Sequence, residues 1–146
     1  MNAQAYLDLQ NKQREELNNF PIAYAFDEKQ LEEALEKLGA NDVSECVTIY
    51  GHGDIVKKED ASRFVAMLKR HTAEVKELIL SDADIAMEAF LYEMDNHEYC
   101  INYDGDGDVL GCFGLEWDDL KELGLDLAYS MARKKHFEHA REWGVI

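Results

Sequence analysis

His97 and Cys100 form an H-x-x-C pair, with Asn96 and Glu98 on either side of the histidine. Imidazole nitrogen and thiolate sulfur are donors that zinc prefers, and a structural zinc site takes four donors in a tetrahedron. Such sites are usually built from two close-spaced pairs, and this chain shows at most one. His52 is the expected third ligand, with Cys46, Cys112 and Asp54 as further donors from distant parts of the chain. The competing expectation is a histidine at a helix-to-strand junction, its ring hydrogen-bonded to backbone, beside a core cysteine.

Other chemistry is weaker. Asp104, Asp106 and Asp108 match the first three ligand positions of a calcium loop, but Val109 stands where glycine is required and Leu115 where glutamate is. A solvated acidic turn is the expectation there. His136 and His139 share a helix face at i, i+3 and read as a surface pair near a helix C-terminus. A nucleophilic cysteine needs a lowered pKa, and no Lys or Arg lies near Cys100 or Cys112 in sequence. Gly51 and Gly53 lack the Lys-Ser/Thr of a phosphate loop. Asp118-Asp119 reads as a solvated helix start rather than an acid–base pair.

Charge gives the strongest signal. No Lys or Arg occurs between Lys76 and Lys121, and residues 82–126 hold fourteen acids and one base, Lys121. That block carries −13 of a net charge of −16. It repels nucleic acid and anionic membrane and attracts basic protein surfaces or cations. Carboxylates at i, i+4 on a helix stand roughly 5–6 Å apart, of the order of backbone phosphate spacing. Three such ridges are expected: Glu28/Glu32/Glu36, Asp84/Glu88/Asp95 and Asp118/Glu122/Asp126. Asp84, Glu88, Asp95, Asp104, Asp106, Asp108, Asp118, Asp119 and Glu122 are the expected contact set for a basic partner.

These residues need a folded frame. At 146 residues the chain is expected to form a single domain, 1–146, with a core that needs no staple. Seven Tyr, six Phe and two Trp argue against disorder despite the charge. Three cysteines are no disulfide framework. No signal-peptide pattern opens the chain and no apolar run approaches a membrane span, so a cytoplasmic setting is expected.

Helical patterns cover Ala3 to Asn18, the segment after Asp27 with its capping partner Gln30, a long segment after Asp60, and a segment after Ser81. Two closing helices, broken near Gly124, carry Leu120, Leu123, Leu127 and Met131 at helical spacing. Strands are expected at Phe20–Phe26, Cys46–Tyr50, Ile55–Val56 and Glu98–Tyr103, with a tight turn at Gly51–Asp54 and a loop at Asp104–Asp108. This predicts an α+β fold: a small antiparallel or mixed sheet of about three to four strands covered by about five helices.

Phe20-Pro21-Ile22-Ala23-Tyr24-Ala25-Phe26, Glu28-Lys29-Gln30, Lys37-Leu38-Gly39, the stretch Gly51 to Asp60, and Phe90 through Asn96-His97-Glu98-Tyr99 resemble a family of small acidic proteins from gut bacteria and their phages and mobile elements. No reaction is assigned to that family. The chain departs from it at His52 and Asp54, where the family favours glycines, and in extra acids at Asp104–Asp108. These departures point to a specialised role, and phage and mobile-element genomes encode many small acidic proteins that disarm host defence. Several anti-CRISPR proteins do so by binding the basic surfaces that an RNA-guided nuclease uses for guide or target. The leading expectation is therefore a non-enzymatic acidic inhibitor in the host cytoplasm. It would dock on a basic nucleic-acid-binding protein, plausibly a CRISPR effector nuclease, and touch neither nucleic acid nor membrane directly. The alternatives are a zinc-stabilised module and an enzyme of unassigned class.

Overall fold

The computed structural model describes residues 3–146. The elements run α1 (Gln4–Asn19), β1 (Ile22–Tyr24), α2 (Glu28–Leu38), a 3-10 turn (Val43–Glu45), β2 (Cys46–Val47), β3 (Asp54–Lys57), α3 (Lys58–Ser81), α4 (Ala83–Asn96), α5 (Gly105–Gly111), α6 (Trp117–Glu122) and α7 (Asp126–Glu142). The fold is α+β, with an antiparallel three-stranded sheet in the order β1-β3-β2. The chain forms two compact units, residues 11–71 and residues 1–10 with 72–146. No described helix is long and apolar enough to cross a membrane.

In the unit of residues 11–71 the sheet is covered on both faces. Ile22 pairs with Val56 and Ala23 with Ile55. Alternate side chains of a strand point to opposite faces, so Ile22 and Val56 join Phe64 and Met67 of α3. Ala23 and Ile55 join Ala34 and Leu38 of α2. The Asp27 cap forms as expected, with its carboxylate accepting from Gln30 N at 2.7 Å while the Gln30 side chain accepts from Phe26 N at 2.8 Å. Gly39 ends α2 at φ +69°, in the left-handed region that glycine occupies without strain.

The turn before β3 is organised by one carboxylate. Asp54 is 3% exposed and accepts from Ile49 N, Tyr50 N, His52 N and the Thr48 hydroxyl at 2.8–3.3 Å. Burial alone would raise its pKa, but these donors outweigh burial and bring it down to about 2.

The second unit is helical. α4 buries Ala86, Met87, Ala89, Phe90, Leu91, Glu93 and Met94, more than one stripe of its surface. Ala128 and Ala132 on the facing side of α7 are small enough to let the two helices approach. Phe90 stacks edge-on against Phe113 and Tyr129, with ring centroids 4.9 and 5.2 Å apart. Truncating Phe90 to alanine would cost about 3–5 kcal/mol.

Several elements differ from the sequence reading. Glu98–Tyr103 is not a strand. Glu98 takes φ +53°, the Tyr99 N–H closes back on Met94 O at 3.1 Å, and the Asn102 side chain caps the His97 carbonyl. These bonds stop α4 and turn the chain, leaving Ile101 and Tyr103 exposed. Asp104–Asp108 is not a loop: Asp104 caps α5 by accepting from Gly107 N at 3.1 Å. Gly105 is needed there by packing, since a Cβ would lie 2.7 Å from the Tyr99 carbonyl oxygen. α4 is capped by Asp82, not Ser81, whose hydroxyl bonds back to Leu78 O inside α3. α3 follows β3 directly at Lys58, with Asp60 in its first turn, paired to Arg63. Seven α-helices appear among the described residues where about five were expected.

Candidate functional site

Three carboxylates of the acidic block turn inward. Glu93, 4% exposed, is the first. Its Oε1 accepts from the Tyr6 hydroxyl at 3.2 Å and the Gln10 amide at 3.4 Å. Its Oε2 lies 3.0 Å from His97 Nε2 and 3.1 Å from Cys112 Sγ. Glu93 and His97 meet because they are four residues apart at the end of α4, and Cys112 arrives from the C-terminal end of α5. Burial, then the neighbouring Glu93, pushes the Cys112 thiol up to about 12. A thiol held protonated is a poor nucleophile.

Asp95 is the second. Its two oxygens face His136 Nδ1 at 2.7 Å and His139 Nδ1 at 3.0 Å. His136 is fully buried, so the pair on α7 is not a surface pair. Asp106 is the third. Its Oδ1 accepts from both the Tyr99 and Tyr129 hydroxyls, at 2.5 and 2.6 Å.

Part of the block also borders the surface. Asp104, Asp106 and Glu116 line one open depression of about 460 Å³ together with Gly107, Leu110, Leu115 and Trp117, and no Lys or Arg is among the lining residues. Trp117 is 60% exposed, and its indole stands edge-on to Tyr129 at 6.0 Å. Carboxylates beside an exposed indole suit a cationic side chain, which gains both charge pairing and the cation–π attraction of the ring. Trp117 also borders a second depression with Leu120, Lys121, Asp126, Tyr129 and Ser130.

A sequence profile described as a family of unknown function (DUF7659) matches residues 5–135. The chain belongs to that family. No curated protein and no solved structure matches it.

The candidates of this DUF7659 chain thus separate. Asp84, Asp104, Asp108, Asp118 and Glu122 are exposed, and Glu88 is half-buried. Asp95 and Asp106 are committed to internal partners, and Asp119 accepts from Glu116 N at 2.8 Å as a capping residue. Of the expected zinc ligands, His97 gains Cys112 and Glu93, not Cys100. The Cys100 backbone N–H instead donates to His136 Nε2 at 3.2 Å, because residues 98–103 form turns rather than the strand that would have carried both side chains. His52 lies in the other unit, where its backbone N–H serves Asp54. Asp104, Asp106 and Asp108 do not form a calcium loop, since α5 carries the second and third. Glu93 was readable as an i, i+4 partner of His97. Tyr6, Gln10 and Trp117 left no comparable mark.

Proposed function

We propose that this protein is a non-enzymatic binding protein that docks an acidic face onto a basic, nucleic-acid-binding protein. The supporting observation is the depression where Asp104, Glu116 and Trp117 meet, which offers exposed carboxylates and an exposed indole without any basic residue. Tryptophan is enriched among the residues that dominate binding energy at interfaces. An arginine or lysine of the partner would enter this depression, with Asp108, Asp118 and Glu122 forming a charged rim. Asp95, Asp106 and Asp119 leave the contact set because their oxygens serve the fold.

The unit of residues 1–10 and 72–146 carries nineteen acids against six Lys and Arg, so it favours encounter with a positive surface. The resemblance, which spans roughly residues 20–115, suggests an RNA-guided nuclease as the partner. Since the docking surface would be one used for guide or target, nucleic acid and this protein would compete for it. The test is a DNA-displacement titration against a purified basic partner at two salt concentrations. Competition that weakens with salt supports the reading; a ternary complex with DNA removes it.

A further inference from the structure

Glu93, His97 and Cys112 bring a carboxylate oxygen, an imidazole nitrogen and a sulfur within 4.8 Å of one another. The pairwise separations are 3.0 Å for Oε2–Nε2, 3.1 Å for Oε2–Sγ and 3.5 Å for Nε2–Sγ. Around a tetrahedral zinc with bonds of about 2.0–2.3 Å, neighbouring donor atoms stand roughly 3.3–3.6 Å apart. Shifts of a few tenths of an ångström would therefore seat the ion. The mixed N, S and O donor set suits a borderline-soft cation, whereas calcium and magnesium take oxygen alone.

Two further observations separate this cluster from three groups that merely share hydrogen bonds. Glu93 is a buried carboxylate whose partners are Tyr6, Gln10, His97 and Cys112, with no Lys or Arg among them. Apart from His97, whose ring is charged only when protonated, no partner offsets this buried carboxylate, and a divalent ion would supply that charge. The Tyr6 hydroxyl and the Gln10 amide also hold Oε1, which orients Oε2 toward His97 and Cys112. Outer partners of this kind fix a ligand's direction in metal sites. The His97 side chain is 37% exposed, so the cluster opens to solvent on one side.

We propose that Glu93 Oε2, His97 Nε2 and Cys112 Sγ bind one zinc ion, with water as the fourth ligand. The S–H bond is replaced by a sulfur–zinc bond and the thiol proton passes to solvent. His97 binds through Nε2 with its ring proton on Nδ1. The ion ties the end of α4 to the end of α5 across the turn of residues 97–104.

The probe is cobalt(II), titrated into the full chain after chelator treatment, with zinc as competitor. The expected result is one equivalent bound, with a thiolate-to-cobalt charge-transfer band that zinc abolishes. Cys112→Ser loses the band, while Cys100→Ser and Cys46→Ser keep it. His97→Gln, at a half-exposed position that leaves the fold intact, binds at least tenfold more weakly, and Tyr6→Phe weakens binding roughly tenfold. Absence of the band in the wild-type chain overturns the proposal. So does its survival in Cys112→Ser, or its loss in Cys100→Ser.

Discussion

His136 donates through Nδ1 to Asp95 Oδ1 at 2.7 Å while its Nε2 accepts the Cys100 backbone N–H at 3.2 Å. A backbone amide can only donate, so the ring must carry its proton on Nδ1. The imidazole thereby joins α7 to the end of α4 and to the turn that follows it. His139 reaches the other oxygen of the same carboxylate from a half-exposed position. His136→Ala should cost about 3 kcal/mol, combining a core cavity with an unpaired amide and carboxylate. His139→Ala should cost under about 1 kcal/mol, as exposed pairs do. Denaturant unfolding of the two variants checks the ranking, and equal losses would contradict it.

Asp54 gives a pH dependence of known sign. Its carboxyl is held at about 2 in the folded protein against 3.8 for the free group. Lowered carboxylates stabilise the fold above the unfolded pKa, and the contribution is lost as pH falls through the folded one. The turn of residues 48–53 should therefore weaken between about pH 4 and pH 2, by about 2 kcal/mol in total. Asp54→Asn should remove a similar amount at neutral pH and flatten that part of the acid-unfolding curve. An unchanged acid profile in the variant would show that the carboxylate does not organise the turn.

The alkaline side has the opposite sign. Burial, reinforced by Glu93 beside Tyr6 and by Asp106 beside Tyr99 and Tyr129, raises all three phenols above 10.0. The protonated phenols stabilise the fold below pH 10.0, and this contribution is lost as pH rises through their folded values. The tyrosinate absorbance of these three should therefore appear together with unfolding. Tyr129→Phe, which removes one hydroxyl from Asp106 Oδ1, should cost about 1 kcal/mol. Ionisation of all three near pH 10, with helical circular dichroism intact, would contradict the buried network.

Local signals in the sequence led to local structure. The Asp27–Gln30 cap, the Gly39 stop and the Gly51–Asp54 turn each depend on residues a few positions apart, and each forms. The alternation Tyr99, Ile101, Tyr103 misled, because six residues cannot distinguish a strand from a succession of turns. Only Tyr99 is buried. The Asp-Gly repeat also misled, because its aspartates cap and anchor a helix while Gly105 answers to the Tyr99 backbone. The inward carboxylates were beyond reach for a different reason. Glu93 with Tyr6, Asp95 with His136 and Asp106 with Tyr129 are separated by 87, 41 and 23 residues, and such pairings exist only once α1, α4, α5 and α7 are packed. The acidic block is thus two populations, one holding the fold and one facing solvent. Net charge alone does not tell them apart.

That division makes the docking account testable residue by residue. Asp108→Lys, Asp118→Lys and Glu122→Lys change exposed rim side chains that cap no helix, so helical content should persist with at most small changes in stability. Trp117→Ala removes the exposed indole. The most direct measurement is the dissociation constant of a purified basic nucleic-acid-binding partner for the wild-type chain, the triple lysine variant and Trp117→Ala, at low and moderate salt. The account predicts wild-type binding that weakens with salt, a loss of roughly tenfold or more in the triple variant at low salt, and a comparable loss in Trp117→Ala. Full-strength, salt-independent binding by the folded triple variant would contradict it.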